Sequence, residues 1–426
     1  MAMRKQWNRL DNAAKIFPPT SSERNTKVFR FVCELTEPVD SELLQSALEM
    51  TVKGFPLYRS ILKKGFFWYY LEESSLRPKV LEESVPVCSA IYNEDKPGLL
   101  FRVSYYQRRI NLEVFHALAD GTGALQFLRT MVFHYLAKQY GISGRLADYD
   151  AAHDQKQQDA FYKYYDKTEA VPKVKRYRAY RLRGERLPDH RLGITEGTLS
   201  VSAVLKKARE HGATLSEFLI ARLICAIYDG MAVRERIHPV VVAVPVNLRR
   251  FFPTETARNF FGVIQVVHSF KKDGQSFEEV LATVRESFRR QLTKDNLHGV
   301  IGRFSAIENH PMVKAIPLPL KIPSLQLAGL WAAREETTSF SNVGGVSMPE
   351  EAAKHIRLFD VFLSTSRPQF CMCSFGDTLA ISVSSPFADT EIQRRFFRGL
   401  TEMGIPVRVV SNLEQLTGEE VSDASL

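Results

Sequence analysis

A chain of 426 residues, 45% apolar and 25% charged, is long enough for more than one packed core and is neither disordered nor fibrous in composition. Its five cysteines, Cys33, Cys88, Cys225, Cys371 and Cys373, are scattered without a C-x-x-C pair, which argues against a disulfide framework or a zinc site. The net charge of +9 is mostly local, because residues 163–186 carry nine Lys or Arg against three acids and leave only +3 for the rest.

In chain order, the N-terminal residues carry charge but no apolar run of signal length, and no later stretch of ~18 apolar residues follows. The cytoplasm is therefore the expected compartment, with no transmembrane segment. In "VDSELLQSALEMTVKGFP", Asp40 or Ser41 can cap a helix with an apolar stripe from Leu43 to Val52, stopped by Gly54 and Pro56. "LYRSIL" and "FFWYYLEE" read as strands, and "LLFRVSYY" and "INLEVFH" as a hairpin, with Ile110, Leu112, Val114 and His116 on one face. After Asp120-Gly-Thr-Gly, apolar residues from Ala124 to Leu136 recur at helical spacing up to Gly141.

The basic segment interleaves Tyr with Lys and Arg. Without a nucleic-acid-binding motif beside it, it reads as an exposed connector, and no nucleic-acid partner is expected. Alternation resumes in "TLSVSAVLKKAREHG". A Thr214-x-x-Glu217 capping box opens a helix ending at Gly230, and "HPVVVAVPVNLRRFF" is a buried strand in which Pro245 limits pairing. "SFEEVLATVRESFRRQL" is an amphipathic helix, residues 359–386 are consecutive strands, and "TEIQRRFFRGLTEMG" is a closing helix. Strands and helices mix without strict alternation, so the fold class is α/β or α+β rather than a barrel.

The stretch "EVFHALADGTGALQFL" carries the chemistry. A dinucleotide turn is opposed by Gln126 at the third glycine position and by Asp120 beside the phosphates. A metal site is opposed by the strand and glycines, which keep His116 and Asp120 off a shared helix face, and no metal is expected. A catalytic corner makes chemical sense: an imidazole facing an apolar layer stays neutral and can act as a base. Asp120 then serves as an anchor paired with an Arg. A core histidine beside a helix-capping aspartate remains the structural alternative.

"FHALADG", "ALEMTVKGFPLYRSIL", "AVPVNLRRFFPTETARNFFG" and "TSFSNVGG" follow the order of motifs in one superfamily. The chain resembles the CoA-dependent acyltransferases with a His-x-x-x-Asp motif, which include chloramphenicol acetyltransferase, alcohol acyltransferases, wax ester synthases and nonribosomal peptide synthetase condensation domains. The resemblance implies two similar subdomains, each a mixed sheet with flanking helices, forming a pseudo-dimer around a central cleft with a tunnel open at both ends. Residues 1–162 would form the first subdomain, 163–190 the basic connector and 191–426 the second. It places His116 as the general base, Asp120 as the buried acid, Arg59 as its matching partner with Arg249 as second candidate, and Gly121 as the residue that permits the close turn. Asn259, Gly262, Ser341 and Asn342 would line the cleft on the substrate side, with Ser341 or Asn342 stabilising the oxyanion.

The implied reaction moves an acyl group from a CoA thioester to a hydroxyl or amine of a small molecule, without a covalent enzyme intermediate; acyl-CoA is a co-substrate and no bound cofactor is expected. Phe115 stands where condensation domains carry a second His, and "SNVGG" where plant relatives carry Asp-Phe-Gly-Trp-Gly, which leans toward a free-standing bacterial alcohol acyltransferase. The alternatives are a condensation-type enzyme drawing its acyl group from a carrier protein, and a catalytically silent binding protein of the same fold.

Overall fold

The computed structural model describes residues 7–144, 146, 159–165, 176–270, 276–309 and 311–413. The part of the basic connector at 166–175 lies outside the described residues. Its described end runs along the second half of the molecule, where Tyr180 N–H donates to Pro239 O and Leu187 N–H to Pro386 O.

The first half begins with β1 (Trp7–Arg9) and β2 (Val28–Leu35), then α1 (Ser41–Lys53). Asp40 caps α1 by accepting from Glu42 and Leu43 N–H, and the stripe Leu44, Ala47, Leu48 and Val52 is buried. "LYR" folds as a short 3-10 turn rather than a strand, so the next hairpin is β3 (Ser60–Lys64) and β4 (Tyr69–Glu73). β5 (Val80–Glu82) precedes the expected hairpin of β6 (Phe101–Tyr106) and β7 (Arg109–Phe115), whose two-residue turn puts Gln107 at φ 50°. The 20-residue α2 (Gly121–Tyr140) ends on Gly141 in the left-handed conformation.

The second half opens with β8 (Gly193–Ser200). The expected alternation stops there: Ser200 accepts from Ala203 N–H and starts α3 (Val201–Glu210). α4 (Leu215–Asp229) carries the Thr214–Glu217 capping box in full, and β9 (Val240–Asn247) and β10 (Phe261–His268) pair antiparallel through Pro245. Three long helices follow, α5 (Phe277–Gln291), α6 (Lys294–Asn309) and α7 (Leu318–Ala332), with a short helical segment at Pro311–Ala315 before the last. The chain then runs through β11 (Thr338–Val346), β12 (Ile356–Leu363), β13 (Gln369–Phe375), β14 (Thr378–Ser385), α8 (Glu391–Glu402) and β15 (Arg408–Ser411).

Two main mixed sheets result. One has the order β12-β2-β7-β6-β5 and the other β10-β9-β11-β13-β14-β8-β15, with β1-β4-β3 as a small third sheet. Each main sheet has its own apolar core, one around Phe31, Leu112 and Phe127, the other around Phe218, Val242 and Phe370. A second subdomain of residues 191–426 does not keep all its strands, since β12 is zipped antiparallel onto β2 of the first sheet. β11 and β9 pair only at Val242 and Ala243, after which the strands diverge beside the Asn247–Arg250 turn.

β12 also brings a buried acid to the seam. Asp360 accepts from Ser382 Oγ of β14 at 2.6 Å and is hydrogen-bonded to Glu196 of β8. Glu196 in turn holds Arg109 of β7 in two bonds of 2.9 and 3.1 Å. Burial and the neighbouring Glu196 charge push the Asp360 carboxyl well above the ordinary carboxylate range.

Candidate active site

β7 is buried along both faces from Ile110 to Phe115, and the strand ends one residue before the histidine. His116 therefore sits in the turn rather than on the strand face shared by Ile110, Leu112 and Val114. Its N–H donates to Lys27 O at 2.9 Å, and Leu118 N–H closes the turn onto Phe115 O. The imidazole stacks on Phe17 at 4.3 Å between centroids and meets Phe29 edge-on at 5.0 Å, with Phe261 tilted at 5.7 Å. The residue as a whole is half-buried. Burial pulls its pKa below 6.5 against opposing contributions from Asp120, Asn259 and Asp11, so the ring is neutral at physiological pH.

Asn259 decides which nitrogen carries the proton. Its NH2 group faces two acceptors, Asp11 Oδ2 and His116 O, both at 3.1 Å, so its carbonyl oxygen is the atom 3.1 Å from His116 Nδ1. Nδ1 must then donate, and Nε2 keeps its lone pair. Asp11 is held in turn by Ala14 N–H at 2.7 Å and by the Arg258 guanidinium at 3.6 Å. Burial outweighs these partners and leaves the Asp11 carboxyl above the ordinary carboxylate value.

Asp120 is the N-cap of α2, accepting from Gly123 N–H at 3.0 Å. Its carboxylate also takes Phe260 N–H at 2.9 Å and Arg249 Nη1 at 2.8 Å. Arg249 is therefore the anchoring cation. Arg59, the position matched by resemblance, is corrected: it pairs with Glu73 on the surface, with both side chains 40% or more exposed. The sequence match pointed to a residue whose short 3-10 turn carries it away from the corner, whereas the Asn247-capped turn delivers Arg249 across the seam.

The glycine expectation shifts as well. A Cβ on Gly121 would meet only the Phe31 ring at 3.8 Å, ordinary contact, but one on Gly123 would lie 1.9 Å from Ala257 O. Close approach of the two halves thus requires glycine at 123, not 121. Gly262 points away from the histidine, since its Cβ would face the buried Val300 and Leu248 of the second core, and its neighbour Phe261 fills the position beside the ring. On β11, Ser341 is paired with Cys371 of β13 ahead of the bulge at Val343, and Cys371 packs in the first core, so Ser341 lies on that face. Asn342 is exposed, donating to Ser216 Oγ at 2.9 Å and accepting from Gly344 N–H, so its carboxamide is committed away from His116.

Of the expected residues, His116, Asp120 and Asn259 converge on one point. Arg59, Gly262 and Asn342 do not. Asp11 and Phe17 also complete the corner, and the sequence holds little signal for either beyond an aspartate three residues before a short helical turn, where it accepts from Ala14 N–H. Among the described residues no group of three or more His, Cys, Asp or Glu could hold a metal, and no helix is long and apolar enough to cross a membrane.

No protein-family profile and no curated protein matches the chain. Solved structures share its fold along nearly the whole length. TRI101 of F. graminearum, complexed with coenzyme A and deoxynivalenol, has a TM-score of 0.65 at 10% identity, covering 94% of this chain and 99% of its own. The first condensation domain of the calcium-dependent antibiotic synthetase, in complex with a substrate analogue, has 0.64 at 15% identity over 96% and 100%. The trichothecene 15-O-acetyltransferase TRI3 from Fusarium sporotrichioides has 0.59 at 10% identity over 94% of each chain. Two mixed sheets, a histidine presented between them and these whole-chain superpositions identify the architecture as the chloramphenicol acetyltransferase-like fold of acyltransferases and condensation domains.

Proposed function

We propose that this protein is an acyltransferase that moves an acyl group from a CoA thioester to a hydroxyl or amine acceptor. His116 Nε2 takes the proton of the acceptor as its oxygen or nitrogen attacks the thioester carbonyl. The tetrahedral intermediate then expels the CoA thiolate, which receives the proton from the imidazolium. No bond to the protein forms, and holding both substrates at the seam supplies proximity. The observation that carries this reading is the Asn259 carboxamide, whose two acceptor contacts orient it to bind Nδ1–H and leave Nε2 free as a base.

The other site residues take supporting roles. Asp120 and Arg249 keep the corner rigid, and Ser341, facing the first half, is the hydroxyl offered to the oxyanion. The surplus of basic residues favours an anionic co-substrate such as CoA. Thiol release from acetyl- and longer acyl-CoA, measured with a panel of alcohols and amines and with His116→Ala as control, tests the proposal. An acyl-loaded carrier protein run in parallel separates the CoA reading from the condensation-type one, and acceptor-dependent thiol release that survives in His116→Ala would overturn the mechanism.

A further inference from the structure

The exposed apolar residues of this molecule are concentrated. Of nineteen large apolar side chains exposed among the described residues, seven belong to α7, its leading turn and the β3–β4 turn: Phe66, Phe67, Ile316, Leu320, Leu327, Leu330 and Trp331. Such a cluster on one face calls for a partner, whereas scattered single residues do not. The two segments form one surface, because Leu318 N–H donates to Phe66 O at 2.8 Å and Lys321 Nζ to Phe67 O at 3.1 Å.

α7 is apolar on both sides. Its inner side, with Leu318 and Lys321 buried and Gly329 against Thr20, faces the protein. Its outer side presents Leu320, Leu330 and Trp331 at 68%, 63% and 50% exposure. The helix has 15 residues, about 22 Å, too short to span a ~30 Å hydrocarbon layer, so it can only lie along a surface. Residues 311–334 contain no acid ahead of Glu335, and besides the buried Lys321 they carry the exposed cations Lys314 and Arg334. Leucine, Trp and Phe beside cations is the composition of a helix seated at the headgroup boundary of an anionic bilayer.

We infer that α7 and the Phe66–Phe67 turn form a docking surface for an anionic lipid membrane, with α7 lying in the plane of the interface. The inference does not depend on acyl transfer. It does have a consequence for the site: the inner side of α7 rests on the Phe17–Thr20 turn, and Phe17 stacks directly on His116, so the histidine lies behind α7 and one further side-chain layer.

The test is flotation of the full chain with vesicles of phosphatidylcholine alone or with about 30% phosphatidylglycerol. The expected result is binding to the anionic vesicles, weakened by salt, and reduced at least about tenfold by Leu327→Asp with Leu330→Asp. Val233→Asp with Ile237→Asp, two exposed apolar residues elsewhere, should bind like the native chain. His116→Ala should also float normally, so loss of docking and loss of catalysis are read separately. No flotation on anionic vesicles, equal loss in both double variants, or self-association abolished by the Leu327/Leu330 pair without vesicle binding would each overturn the proposal.

Discussion

Two buried acid networks tie the halves of this molecule together, and they differ in what they hold. At one, Asp120 is met by Arg249, Phe260 N–H and Gly123 N–H, and an imidazole stands beside it. At the other, Glu196 and Glu34 share Arg109, and Asp360 is bonded to Glu196 and to Ser382, with no histidine among these partners. The first has a cation for its carboxylate. The second has more acids than cations near Asp360, and the carboxyl there holds its proton to a higher pH. Joining the two sheets thus requires only buried acids with donors; chemistry requires in addition a neutral ring with one nitrogen already engaged.

That contrast can be broken most forcefully at His116. His116→Ala should lower acyl transfer by roughly 10²–10⁴-fold while the melting temperature stays near native, and a matched assay and melt decide it. Asp120→Ala should instead unfold more easily by about 3–5 kcal/mol in urea titration, because the nearly buried Arg249 loses its partner. Asn259→Ala should cost roughly tenfold in kcat, one charge-state-defining hydrogen bond. In the native protein kcat/KM should fall only below pH 6.5, because burial depresses the imidazole's pKa. Losing Asn259, which favours the protonated ring, should move that acid limb lower still, a shift that simple misfolding would not produce.

The second network gives a gentler contrast. A carboxyl whose folded pKa is raised binds more protons folded than unfolded, so its contribution to stability declines as pH rises from the ordinary carboxylate range through the folded value. Asp360→Asn, which mimics the protonated form, should therefore change stability little at low pH and flatten that decline in melts taken across pH. Smallest of all, Arg59→Ala should alter stability by no more than about 0.5 kcal/mol and leave transfer rates alone, since its pair with Glu73 is exposed.

Much of the fold was legible because local signals agreed with tertiary packing. Asp40, Thr214 and Ser276 cap the helices that their spacing announces, and the period-two runs around Leu112 and Val242 are strands. "SVSAVLKK" misled because Ser200 ends an alternating run by capping a helix. The corner itself was half legible. His116 and Asp120 lie close in sequence and announce each other, but their partners come from 129 and 143 positions away, across the seam. Nothing in local spacing distinguishes Arg59 from Arg249, or Gly121 from Gly123; only the approach of the Ala257–Phe260 backbone does. The apolar run of β12 marks a strand, yet which sheet it joins depends on a long-range pairing that a local pattern does not encode.

The placement of β12 sets a schedule for synthesis. β2 lies between β7 and β12, and Thr26 is bonded at its end to Ser364, 338 positions later. At about 5–20 residues per second, a ribosome leaves one flank of β2, with its Phe29 and Phe31, unzipped for roughly 20–60 seconds after it emerges. A nascent or truncated chain that stops short of residue 356 carries a sticky ribbon with no native mate, open to capture by any extended segment. Clean scission between the halves is ruled out for the same reason: a knife placed in the basic connector would sever the first sheet from its own last strand.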